Sequence, residues 1–207
     1  MLKRLYYLAA FSVIMMAPAT VSANPLVEFT TPGNSFSNGS WTFGIDFSVG
    51  RSNILATALG YYDDGGNGFV DNHEVGLYDG VGNLLASGLA TSASTLIGHF
   101  RYVDITPVTL LAGQTYRVVG VSHSDLYTFN DIGFTADPSV TYLGDTYDHG
   151  TTLFDPTGQF HNDTSDGFFG PNLFLNGSSS PVPEPGAYGL VGGGLAALLF
   201  KLRRRTA

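Results

Sequence analysis

The 207-residue chain has no cysteine, which excludes disulfide staples, thiol nucleophiles and iron–sulfur clusters. Residues 24–185 have no lysine. Within them, Arg51, Arg101 and Arg117 face all seventeen acidic residues of the chain, a formal charge of −14 for this stretch. A body this acidic repels phosphate backbones and anionic lipid, so it argues against nucleic acid as a partner and against peripheral membrane attachment. Long windows of helical period are also missing. Glycines, with frequent Asn, Asp, Ser and Thr, punctuate short apolar stretches, as in an all-β domain. Glu28, Glu74 and Glu184 are the only glutamates.

What is present reads as strands. Trp41, Phe43, Ile45 and Phe47 alternate with Thr42, Gly44, Asp46 and Ser48, a period of two with the bulky side chains on one core-facing side. Residues 54–62 form a second, buried strand, in which Tyr61 and Tyr62 point to opposite faces, leaving one of them exposed. Further strands are expected at 74–78, 84–87, 98–105, 115–122, 139–143 and 172–175. Residues 79–83 form a turn, and 111–114 a tight connection. With no helical crossovers between them, these strands favour antiparallel pairing in one β-sandwich or jelly-roll-like domain over residues 24–175. Residues 176–181, rich in Gly, Ser and Pro, read as a flexible linker.

Both ends carry membrane-directed patterns. Residues 1–23 have Lys3 and Arg4, then an apolar stretch, then Val21-Ser22-Ala23 as a small-residue cleavage site, the layout of a secretory signal peptide. At the other end, Val182, Pro183, Glu184 and Pro185 open residues 182–207. An apolar run over 186–200 follows, and Lys201, Arg203, Arg204 and Arg205 close it. The run would rise about 22 Å as a helix against a hydrocarbon core of about 30 Å, so as a transmembrane helix it is short. Basic clusters at both ends belong on the cytoplasmic side, which puts the body across the membrane.

The ordered combination of Val182-Pro183-Glu184-Pro185, the Gly/Leu/Ala-rich run and the terminal arginines resembles the PEP-CTERM sorting signal of bacterial exported proteins. That resemblance implies recognition by an exosortase-type membrane protease, residence in the inner membrane before processing, cleavage near Pro-Glu-Pro, and a final place at the cell surface or outside. The body is similar to an uncharacterised sandwich module of exported proteins, through Ala58-Leu59-Gly60-Tyr61-Tyr62, His73-Glu74-Val75-Gly76-Leu77-Tyr78-Asp79 and Leu110-Leu111-Ala112-Gly113-Gln114-Thr115-Tyr116. This second resemblance implies a fold and no activity.

The sharpest chemical pattern is the loop over residues 63–74. Aligned to a twelve-residue calcium loop, Asp63 takes position 1, Asn67 position 5, the Phe69 carbonyl position 7, Asp71 position 9 and Glu74 position 12. Gly65 stands where a third carboxylate or amide belongs, and strands flank the loop where helices are usual. The alternative is an acidic glycine-rich hairpin loop, its Asp and Asn serving turn geometry. His73, His99, His123, His149 and His161 are scattered. His123 and Asp125 of His123-Ser124-Asp125 would share a face if extended. No Gly-x-Ser-x-Gly elbow occurs.

The expected function is therefore that of a surface-directed, non-catalytic protein of the cell envelope or extracellular matrix, with calcium as an optional ion. A carbohydrate-binding module for extracellular polysaccharide would instead show an exposed aromatic strip with Asn and Asp around it. A secreted hydrolase would show a deep cleft with converging His, Asp or Glu side chains.

Overall fold

The computed structural model describes residues 23–159 and 169–176. The expected signal peptide up to residue 22, the linker beyond Asn176 and the sorting segment lie outside the described residues. No helix among the described residues is long and apolar enough to cross a membrane.

The chain runs through β1 (Ala23–Pro25), β2 (Val27–Glu28), β3 (Asn34–Phe36), β4 (Trp41–Val49), β5 (Ile54–Tyr62), β6 (His73–Asp79), β7 (Leu84–Ala90) and β8 (Thr95–Ile97). It continues through β9 (Phe100–Leu110), β10 (Thr115–Val121), β11 (Tyr127–Phe129), β12 (Thr135–Ala136), β13 (Val140–His149), β14 (Gly158–Gln159) and β15 (Pro171–Asn176). One sheet has the order β1-β15-β5-β9-β8 and the other β14-β13-β4-β10-β6-β7. Every described strand pair is antiparallel. The two sheets pack as a β-sandwich over Ile45, Phe47, Leu59, Tyr61, Leu77, Val118 and Leu173, all fully buried. Each comes from a strand whose period-two pattern turns apolar side chains to one side. Ala23 lies opposite Asn176 in the β1–β15 pairing, so the described body begins and ends at one place.

β5 coincides with its expected bounds, and β4 keeps Phe43, Ile45 and Phe47 inward. Three strands run well past their expected ends, and the first, β7, continues beyond Ser87 to Ala90. β9 continues through Pro107 to Leu110 because its register against β5 jumps between Asp104 and Val108. A proline within such a bulge forfeits no ladder bond. β13 continues past Leu143, the extra residue of a bulge between Tyr142 and Gly144. The two- and three-residue strands β1, β2, β3, β8, β11, β12 and β14 carry too few positions to show a period.

Two expectations are corrected. Tyr61 and Tyr62 do point to opposite sides, but both are buried. β5 is interior to its sheet. Tyr61 faces the sandwich core, and Phe29 and Phe100 close over Tyr62, with ring centroids 6.1 and 6.0 Å away. Trp41 is only half-buried. It sits at the first position of β4, where the sandwich ends, and stacks on His149 at 3.6 Å.

Candidate functional site

The loop between β5 and β6 crosses one end of the sandwich, and residues 35–37 and 122–126 come up beside it. Between them lies a cleft of about 250 Å³, lined among others by Tyr62, Asp64, Asn67, Phe69, Ser124 and Asp125. The loop leaves β5 in a short 3₁₀ turn, Asp64–Gly66. Gly65, Gly66 and Gly68 have φ of 74°, 67° and 100°, backbone angles that side-chain-bearing residues seldom adopt. These glycines make the tight path possible.

The proposed calcium ligands do not converge on one point. Asp63 is buried and accepts a hydrogen bond from Arg101 Nε at 2.6 Å, and its two oxygens share the Gly68 N–H at 3.1 and 3.0 Å. The Phe69 carbonyl accepts the Ser92 hydroxyl at 2.9 Å. Asp71 accepts from the Ser124 N–H at 3.1 Å and from its hydroxyl, bonds that hold the Asp71 carboxyl below its ordinary range. Glu74 Oε2 lies 2.8 Å from His123 Nε2. Asn67 ends the 3₁₀ turn. Among the described residues no group of three or more His, Cys, Asp or Glu is placed to hold a metal ion.

Neighbouring groups lock the same loop. Asp64 accepts from Ser35 Oγ at 3.0 Å and from the Tyr62 hydroxyl at 2.8 Å. Burial, with that bond to Asp64, raises the Tyr62 pKa. Asp125 receives the Val70 N–H at 3.0 Å and the Asp71 N–H at 2.8 Å. Buried His73 donates from Nδ1 to the Val121 carbonyl at 2.8 Å and stacks on Tyr61 at 3.9 Å. Its Nε2 lies 3.2 Å from Asp125 Oδ2, a close contact off the line of a formed hydrogen bond. Burial pulls the His73 pKa down and outweighs the pull of Asp125 in the other direction.

His123 and Asp125 do not share an extended face. His123 has a φ of 47°, and Asp125 N–H bonds back to the Ser122 carbonyl at 3.2 Å, so the segment is a turn. Each side chain then reaches a different part of the 63–74 loop. His99 is likewise paired, with Glu28 at 2.9 Å, and His149 packs on Trp41. On the outer face of the six-stranded sheet, Arg117 binds Asp46 through Nε at 2.5 Å and Nη2 at 3.0 Å, and Asp155 through Nη1 at 2.5 Å.

Two important residues were missed by the loop alignment: Arg101, which occupies Asp63, and Ser92, which occupies the Phe69 carbonyl. The available signal was scarcity, since a body with three arginines and no lysine that places two of them inside strands is using them as ion-pair partners.

Residues 29–169 match a family described as a domain of unknown function, DUF4082, which spans nearly the whole sandwich. Residues 181–205 match the PEP-CTERM protein-sorting motif, which marks an exported protein that undergoes exosortase-related sorting with transient membrane anchoring. No curated protein matches the chain.

Proposed function

For this chain, which belongs to the DUF4082 family and carries a PEP-CTERM sorting motif, we propose a non-catalytic role as a β-sandwich displayed at the cell surface or in the surrounding matrix. One observation carries this reading. The cationic groups nearest the cleft are bound to carboxylates from distant segments, as Arg101–Asp63 and His123–Glu74, and the buried His73 ring sets its Nε2 against Asp125 at 3.2 Å. Each pair ties a loop residue to a strand, Asp63 to β9 and His123 and Asp125 to β6. A general base needs a ring nitrogen or carboxylate facing an open position where a substrate atom could sit, and these groups face one another.

The tail's role in this reading is delivery: cleavage near Pro183-Glu184-Pro185 separates the body from residues 186–207. Incubating the exported protein with the producing cell's own extracellular polysaccharide tests the non-catalytic part. Polymer length should stay constant. Shortening that disappears in Asp125→Asn would refute it. Glu184→Ala tests the delivery part, and should leave the tail attached and the protein in the membrane fraction.

A second reading is carbohydrate binding, favoured by one feature. Phe36 is 43% exposed and stacks on Phe129 at 4.9 Å. Nearby, Asn38 accepts from Trp41 Nε1 at 2.9 Å and from the Tyr127 hydroxyl at 2.7 Å. Aromatic faces beside an amide suit sugar rings. Phe36→Ala should then abolish retardation of the protein in polysaccharide-containing native gels.

A further inference from the structure

The four outer edges of the two sheets are unequal. Among the described residues, β14 has two residues, β8 has three, and β1 has three including Pro25. The part of β9 beyond Tyr102, where β8 stops pairing, carries Asp104, Pro107 and a bulge. Short length, proline, charge and bulges are the ordinary protections of a sheet edge. β7 is seven residues long and has none of these except a bulge at Leu85, where its register with β6 shifts. From there, residues 86–90 pair regularly with residues 73–77 of β6, and no described strand pairs with the other side of β7.

The composition of this edge is unlike the rest of the body. Residues 83–98 contain no charged side chain in a stretch whose net charge is −14. Leu85 and Leu89 on β7 are 39% and 45% exposed, and Leu96 and Ile97 on β8, the next strand in the chain and the edge of the other sheet, are 41% and 40% exposed. Charges flank the stretch: Glu74 and Asp79 on β6, Arg101 and Asp104 on β9, and the carboxylates of Asp155 beside Gly82 and Glu28 beside Gly98. Glu74 is engaged by His123, and Arg101 by Asp63.

We propose that the β7 edge is a self-association surface, at which a second copy of this chain adds its own β7 antiparallel and joins the two six-stranded sheets. Charge permits a second copy at this edge and disfavours it elsewhere on the body. Two bodies this acidic repel wherever their carboxylates face each other, and the uncharged edge lets them meet without opposing charges. Symmetry agrees. A twofold axis brings the same strand against itself in the antiparallel sense, satisfying the free N–H and C=O groups of both and placing leucines around the contact.

The absence of cysteine makes the test clean, because one introduced thiol reports only its own surroundings. Ser87 is exposed on β7, and Thr141 is exposed on β13. The full chain carrying Ser87→Cys, exported from its producing cell into an oxidising compartment, should run at twice the monomer mass on a non-reducing gel and return to monomer with reductant. Thr141→Cys should give no such band, and adding Leu89→Lys to Ser87→Cys should remove it at unchanged export. The unmodified exported protein should scatter light as a dimer at tens of micromolar. A monomer at that concentration overturns the proposal. So does an exported Ser87→Cys protein with no dimer band, an equal band from Thr141→Cys, or a Ser87→Cys adduct whose mass is that of another protein.

Discussion

Replacing Arg101 with methionine should be among the most damaging single changes at the cleft. Asp63 retains 1% of its side-chain exposure and Arg101 14%, so their 2.6 Å contact is little screened by water. Methionine keeps the length of the stem and removes the guanidinium. The buried Asp63 carboxylate would then keep only the Gly68 N–H, and the Ser94 and Gly66 carbonyls would lose donors now at 3.0 and 3.3 Å. Removing one partner of a buried pair costs about 3–5 kcal/mol. The surviving Gly68 bond puts the expected loss at the lower end, about 3 kcal/mol, a fall in melting midpoint of roughly 6–12 °C for a domain of this size. Urea unfolding of a fragment covering residues 24–180, with Asp63→Leu, Arg101→Met and the double variant, measures both the loss and the coupling. The double variant should recover about 2 kcal/mol relative to the sum of the singles. A loss below about 0.5 kcal/mol, the scale of an ordinary exposed position, or strict additivity would refute the view that a desolvated pair fastens this loop.

Three further outcomes follow from the same contacts. Millimolar calcium, compared with chelator, should leave the unfolding midpoint unchanged, because Asp63, Asp71, Glu74 and the Phe69 carbonyl are engaged by protein partners; a calcium-dependent rise lost in Asp71→Asn would overturn this. His73 has a folded pKa below its ordinary 6.5, so the unfolded chain takes up the proton first as pH falls. Its contribution is fully present above pH 6.5 and is lost as pH falls from 6.5 toward the lowered folded value. His73→Phe should flatten that part of the stability–pH curve, and an unchanged slope would reassign it. Gly60→Ala would place a methyl 2.5 Å from Tyr102 Cε1 and 2.6 Å from Cδ1; against that buried ring it should cost about 1–3 kcal/mol in urea unfolding, and a neutral result would show that the ring can move aside.

The sequence by itself determined what depends on short stretches of chain. The alternation of residues 41–47 and the apolar run of residues 54–62 read directly as strands, since side-chain direction in a strand follows from its own backbone. The sorting motif is legible for the same reason: three segments in fixed order at the C-terminal end need no folding to be recognised. Bulges at Pro107 and Leu143 were illegible, because a bulge is defined by the register of a neighbouring strand. Burial of Tyr62 was likewise hidden, depending on Phe29 and Phe100 closing over it. The loop over residues 63–74 shows the division most clearly. Its spacing imitates a calcium loop, yet Arg101 stands 38 residues from Asp63 and His123 stands 49 from Glu74. Only the antiparallel stacking of β5, β6, β9 and β10 brings those partners within hydrogen-bond reach, and a carboxylate's role is decided by the cation that arrives beside it.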